Sequence, residues 1–396
     1  MTFAVQQGPG MRDLCRKAKL VVPTCGIILG AKEFKSLDGL CDFINDLKCD
    51  RKGIMFDSQY YTASLGKEIS REPPFSYWPT NSKSSILKAI DKVVDINQKM
   101  GLDNIILPGH YIKNVDEKIL SVLRDCVSAI KGCHKDVYLT LCLHDQFFRN
   151  DCQYNRLTAL VEKSEVSGIY LLPERDDDDY FSEDPVWLCR LMELCADIKC
   201  VGKQVIVGYA NHQMLLLSVA YADVIAAGKG RTTRSFRMSS FKRREEGDFG
   251  FAHPKPSYYC PQAFTEFSLK YMDLAHKKEV LPLMAPVDIT SIKPVEMLFA
   301  SGSPVSSGYR LQDGYLHYIN AMCQQSAAAS SEDSFESRMK WHLDRLKEAE
   351  DLLVVLHKHG VRGLLKDYLK YIGIARSALQ TFSESRGVQL SMLCPK

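Results

Sequence analysis

The chain contains 14 cysteines, yet no two of them stand one or two residues apart. That lack argues against a zinc site built from close cysteine pairs. No stretch reaches the ~18 apolar residues that a membrane-spanning helix needs. The longest candidate, residues 214–228, is interrupted by Asp223. The opening MTFAVQQGPGMRDLCRK has no apolar core of the kind a secretory signal carries. These absences point to a soluble, cytoplasmic protein with reduced thiols, without membrane association. No glycine-rich fingerprint follows the first predicted strand, which argues against a dinucleotide-binding sheet. No metal or other cofactor is expected. The net charge is only +3, with 25% charged and 45% hydrophobic residues, so affinity for nucleic acid must come from local clustering.

What is present is an alternation of apolar runs and helical patterns over a chain of 396 residues. Strands are predicted over residues 20–29, 53–61, 104–111, 137–145, 166–174, 204–210 and 223–227, with an eighth near 280–287. Helices are predicted over 84–100, 117–131, 155–163 and 185–199, the first of them stopped by Gly101. Near-continuous apolar strands alternating with helices imply parallel strands covered on both faces. Seven or eight such units favour an α/β fold of the (β/α)8 TIM type over an open doubly wound sheet. Residues 1–325 are assigned to this barrel. Residues 326–334 (SAAASSEDS) read as a low-complexity linker, and residues 335–396 as a helical extension. The extension carries an apolar stripe of Leu343, Leu346, Leu353 and Leu356, broken into a hairpin by Gly360 and Gly363. It is read as a cover for the barrel, a partner surface or a nucleic-acid arm.

The stretch from Lys229 to Arg244 holds seven Lys or Arg residues and no carboxylate. Lys229, Arg231, Arg234, Arg237, Arg243 and Arg244 are candidate contacts to a nucleic-acid backbone, with Phe236 and Phe241 interleaved for base stacking. Gly228 and Gly230 permit close approach to a phosphate. The plainer reading is a solvated loop.

In a barrel, chemistry sits where strands end. The polar residues there are Asp57, Ser58 and Gln59, then His110, then His144 and Asp145 with Gln146. Glu174 follows, and then Asn211, His212 and Gln213. Asp57 and Asp145 are the candidate catalytic carboxylates, suited to acid–base work or nucleophilic attack. Ser58, Gln59, His144, Glu174 and Gly208 are the candidate substrate contacts. Each has a structural alternative: Asp57 as a turn cap, His144 as a rim histidine, His212 at a helix start, Glu174 in an ion pair. Tyr60 and Tyr61 either stack on a base or line the rim. The run of four aspartates at residues 176–179 is read as a solvated loop or a site for a cation or basic partner.

Several of these segments resemble the tRNA-guanine transglycosylases and their DNA-acting, deazapurine-inserting relatives. Asp57-Ser58-Gln59-Tyr60-Tyr61 is similar to the start of the family's D-S-G-G-F-Q motif. Asp145 resembles the aspartate that reads the base. The segment from Gly168 to Glu174 matches G-L-A-V-G-E at its ends, and Thr233-Arg234-Ser235-Phe236-Arg237 keeps T-R-x-x-R. The resemblance covers roughly residues 50–240. It implies a (β/α)8 barrel that exchanges or releases a base in tRNA or DNA. The nucleophilic aspartate of the family falls here at Ala226 or Gly228, depending on the direction of counting, and the family's zinc motif is absent. Three readings therefore stand: a transglycosylase-like enzyme, a non-catalytic nucleic-acid-binding or partner subunit, and a barrel enzyme for a small phosphorylated substrate.

Overall fold

The structure is a computed structural model, and it describes residues 1–47, 51, 53–68, 83–130, 135–149, 154–175, 180–242, 254–300, 302–363 and 366–393. Its centre is a nearly closed parallel barrel. The strands are β1 (Thr2–Gln6), β2 (Gly26–Gly30), β3 (Ile54–Asp57), β4 (Asn104–Ile106), β5 (Tyr111–Ile112), β6 (Asp136–Leu143), β7 (Gly168–Pro173), β8 (Gln204–Val207) and β9 (Val224–Ala227). The ladder runs β3-β2-β1-β9-β8-β7-β6-β4. β4 and β5 pair with successive parts of β6 and make one strand position, so eight positions surround the axis. β1 pairs with both β2 and β9, which joins the first strand to the last. Among the described residues no ladder joins β3 to β4.

The strands are apolar on both sides because both sides are covered. Successive side chains alternate between faces. Ala4, Ile28, Met55, Ile106, Tyr138, Tyr170, Ile206 and Ala226 fill the barrel interior. Their neighbours Val5, Ile27, Phe56, Ile105, Leu139, Leu171, Val205 and Ile225 pack outwards against the helices. Those helices are α1 (Arg12–Val21), α2 (Leu37–Asp46), α3 (Lys83–Met100), α4 (Glu117–Ser128), α5 (Tyr154–Glu162) and α6 (Pro185–Cys200). Side-chain caps fix several starts. Ser36 accepts from Gly39 N, Asp116 from Ile119 N, and Asp184 from Val186 N with Pro185 at the first helical position. A 3-10 stretch, His212–Ser218, takes the place of the helix after β8.

Three features differ from the sequence expectation. The true first strand is β1, whose apolar run is only Phe3-Ala4-Val5, too short to stand out. Residues 20 and 21 end α1 and are exposed; the strand there begins only at Gly26. Residues 280–287 hold the 3-10 turn Leu281–Met284 and no barrel strand, since β1 already supplies the eighth strand position.

Beyond β9 and its loop come the hairpin β10 (Ser257–Cys260) and β11 (Thr265–Ser268), then α7 (Leu269–Lys277), α8 (Lys293–Ala300) and α9 (Leu311–Ala328). α9 packs on α1 and β1. It includes Ser326, so the connection to the next helix is residues 329–334. α10 (Phe335–Lys358) is capped by Ser334, and α11 (Leu369–Leu393) packs against α6 and α10. Leu346, Leu353 and Leu356 are buried on α10, whereas Leu343 of the expected stripe is partly exposed. No helix among the described residues is long and apolar enough to cross a membrane.

A buried charge cluster ties these parts together. Arg234 Nη1 lies 2.6 Å from Glu266 Oε1, and Lys366 Nζ lies 2.6 Å from Glu266 Oε2. Arg234 also donates to Gly228 O at 2.6 Å and to the Tyr180 hydroxyl at 2.8 Å, and its guanidinium sits 3.4 Å from the centre of the Tyr318 ring. Burial pushes the Glu266 carboxyl up, but Lys366 and Arg234 outweigh it and hold the group well below the usual carboxylate range. Removing the shared carboxylate leaves two cations without their partner. E266A should therefore cost about 3–5 kcal/mol in denaturant unfolding. D288A, which breaks an exposed pair with Arg345, should cost less than about 1 kcal/mol. Equal destabilisation of the two variants would contradict the role of the cluster.

Candidate active site at the barrel mouth

The C-terminal ends of β1, β2, β3, β8 and β9 open on a cavity of about 360 Å³. Its lining includes Gln7 and Gly8 after β1, Lys32 and Glu33 after β2, Gln59 after β3, Tyr209 after β8, and Lys229, Gly230, Thr232 and Thr233 after β9. Ser240 and Phe241, further along the basic loop, complete the wall. Its size falls within the ~300–1,000 Å³ of small-molecule sites.

Asp57, the last residue of β3, lies behind this lining and is 2% exposed. Gln59 N donates to its Oδ1 at 2.9 Å, and the Tyr61 hydroxyl donates to its Oδ2 at 2.9 Å. The Tyr170 hydroxyl stands 3.3 Å from Oδ2 and 3.1 Å from Gln6 Oε1. The Tyr61 and Tyr209 hydroxyls are 3.2 Å apart, and Gln59 Nε2 donates to Tyr209 at 3.1 Å. A continuous hydroxyl path thus runs from Asp57 through Tyr61 to Tyr209 on the cavity wall.

Two backbone distortions set this path. Gln59 and Tyr209 both have positive φ, 56° and 53°, in the left-handed region that non-glycine residues seldom occupy. Such strain costs on the order of 1–3 kcal/mol per residue and persists where the surroundings enforce it. Here each distortion turns a strand-end side chain back across the mouth. Gly208 permits a related close approach: a Cβ there would stand 2.7 Å from the Tyr170 hydroxyl.

Burial raises the Asp57 carboxyl to about 6, against the lowering effects of Gln59 N–H, the two tyrosines and Lys32. Burial lowers the Lys32 amine to about 8, opposed by Asp57 and Glu33. Lys32 Nζ has no hydrogen-bond partner among the described residues and lies 4.8 Å from the centre of the Phe241 ring. A carboxyl and an amine that both titrate near neutral pH, beside one cavity, are suited to proton transfer.

The remaining candidates divide into groups. Ser58 is buried next to Asp57. Glu174 accepts from Met238 N at 2.8 Å and from the Tyr111 hydroxyl, and Arg175 N donates to Phe236 O. Glu174 therefore anchors the basic loop where it crosses the mouth. The Tyr111 ring meets His144 edge-on, with centroids 5.7 Å apart. Asp145 begins a 3-10 turn and pairs with Arg149 at 3.0 Å. His144, Asp145 and Glu174 do not line the cavity beside Asp57. His212 is a core histidine, packed among Phe181, Tyr259 and Tyr318, with burial lowering its ring to about 3.

In the basic loop, Lys229 lines the cavity, Arg231 is exposed and Arg237 is half-buried. Arg234 departs from the expected phosphate role, because its guanidinium is enclosed and bound to Glu266. Arg243, Arg244 and residues 176–179 lie outside the described residues. Phe236 is buried against Tyr61 and Tyr209, at 5.5 and 5.2 Å between centroids. Sequence reasoning missed Gln6, Gln7, Lys32, Tyr170 and Tyr209. The signal for two of them was a glutamine pair directly after Phe3-Ala4-Val5. Among the described residues no three His, Cys, Asp or Glu side chains form a metal-ligating group.

No protein-family model and no curated protein matches the chain.

The raised Asp57 pKa makes its ionisation a cost to the fold. The neutral carboxyl contributes stability that is fully present below the unfolded value of 3.8 and lost as pH rises through about 6. Relative to D57N, the wild-type protein should therefore lose on the order of 3 kcal/mol between pH 4 and pH 7. Thermal unfolding of both proteins across that range checks this; a constant difference would contradict it.

Proposed function

We propose that the protein acts on a nucleic-acid base, exchanging or releasing it as a transglycosylase-like barrel does. The observation that carries this reading is the cavity itself. An aromatic ring, Phe241, two amide side chains, Gln7 and Gln59, and two lysines share its lining, and a proton-transfer path from Asp57 ends on its wall. A base is planar and edged with hydrogen-bond donors and acceptors, so rings and amides suit it. Release of a base breaks the bond between its ring nitrogen and the sugar C1′; water, or the incoming base in an exchange, forms the new bond to C1′, and the departing nitrogen takes a proton. Tyr209 is the group at the wall, and Asp57 stands behind it as the proton reservoir. This geometry favours acid–base work through Tyr209 over direct attack by Asp57, whose carboxylate does not line the cavity.

Lys229, Arg231 and Arg237 remain as candidate contacts to a polynucleotide backbone. The enclosure of Arg234 shrinks that surface and favours, as a second reading, a small phosphorylated substrate in the same cavity. A non-catalytic nucleic-acid-binding subunit is the outcome if binding occurs without turnover.

The test is base release or exchange on single-stranded and double-stranded RNA and DNA. D57A and Y209F should each lower the rate at least about 100-fold, the usual scale for one acid–base group, while remaining folded. Full activity in either variant contradicts the assignment. Replacing Lys229 or Arg237 should weaken binding uniformly across sequences. It should also reduce the slope of log affinity against log salt by roughly 1 for each phosphate that the side chain neutralises.

A further inference from the structure

We propose that Lys32, Gln7 and Lys229 form a phosphate pocket in the mouth cavity, which grips the phosphate of a nucleotide. The inference deepens the base-chemistry reading by naming the group that is held, and rests on that reading only for the nucleoside part of the ligand.

Two buried donors carry it. Lys32 is 4% exposed, and its Nζ makes no hydrogen bond among the described residues. Gln7 is 1% exposed. Its Oε1 accepts from Gly30 N at 3.2 Å, which fixes the amide orientation, and its Nε2 has no acceptor among the described residues. Buried polar groups are almost always paired, so two enclosed donors without a partner among the described residues, on side chains that line one cavity, need a reason. Both line the same cavity, together with Lys229, whose Nζ donates to Gly10 O at 3.2 Å on the exposed side. The acidic group in that lining is Glu33, against two lysines. An anion with several acceptor oxygens satisfies both orphaned donors and offsets the buried cation. Phosphate does so better than a carboxylate, because it offers three terminal oxygens to donors that come from three different strand ends. At neutral pH the Lys32 amine remains mostly charged, since its ionisation lies near 8. Phe241 and Tyr209, on the same wall, leave an apolar surface for the attached nucleoside.

The test is a calorimetric titration of the full chain with adenosine and guanosine 5′-monophosphates, the parent nucleosides and inorganic phosphate. A monophosphate should bind at least tenfold more tightly than its nucleoside, and inorganic phosphate should compete with it. K32M should abolish that preference while raising the melting temperature of the unliganded protein, because it removes an unpaired buried cation. Q7E, which keeps the acceptor for Gly30 N and places a carboxylate near Lys32, should also abolish phosphate binding and stay folded. Oligonucleotides with and without a 5′-phosphate separate the sources. Preference for the phosphorylated end assigns a terminal phosphate, whereas equal binding that K32M weakens assigns an internal phosphodiester. Equal affinity for monophosphate and nucleoside, phosphate binding unchanged in K32M and Q7E, or no binding of any probe would each overturn the pocket. Base-release assays on Asp57 variants read the chemistry separately, so either inference can fail alone.

Discussion

The buried contact between Arg234 and Glu266 fixes the geometry on which the barrel mouth depends. Arg234 belongs to the loop after the last barrel strand, Glu266 to the hairpin beyond it, and Lys366 to the segment before the final helix. Three distant parts of the chain meet at one carboxylate. Through its bond to Gly228 O, the same guanidinium shapes the turn that presents Lys229 to the cavity. A buried ion pair is a weak source of net stability, but it strongly penalises any arrangement that leaves one partner alone. It therefore acts mainly as a positional constraint. The loop must follow its observed path, or a cation is stranded in the interior.

The opposite condition holds at the cavity. Asp57 is buried with hydroxyl and amide partners, and the buried Lys32 amine has no hydrogen-bond partner among the described residues. Gln59 and Tyr209 hold unfavourable backbone angles beside them. Local cost of this kind concentrates at sites of function. The contrast within one molecule is informative. The charges of the Arg234 cluster are satisfied internally, whereas the Lys32 amine beside the cavity has no hydrogen-bond partner among the described residues.

The barrel was legible in the sequence because its strands are apolar on both faces and regularly spaced by helices. The first strand was not, because three apolar residues at the start of the chain carry no period. That single strand carries much of the site: Gln6 ends it and Gln7 follows it, and it takes the place of the eighth strand expected near residues 280–287. Asp57 was legible as a carboxylate closing an apolar run. Tyr170, which bonds it, and Tyr209, which bonds Tyr61, come from segments more than 100 residues away, and only the barrel brings them together. The basic loop was visible as a charge run, yet sequence cannot separate an arginine facing solvent from one facing Glu266. Asp145 and Glu174 were correctly placed at strand ends. Their roles follow from contacts with Arg149, Tyr111 and Met238 N, which no spacing rule reveals.

The most direct test of the site is a crystal structure of the full chain soaked with a nucleoside 5′-monophosphate. Density for the phosphate against Lys32 Nζ and Gln7 Nε2, with the base on the Phe241 and Tyr209 side of the cavity, is the expected result. A ligand bound elsewhere, or a cavity that stays empty at saturating concentration, would contradict the assignment of the barrel mouth as the functional centre.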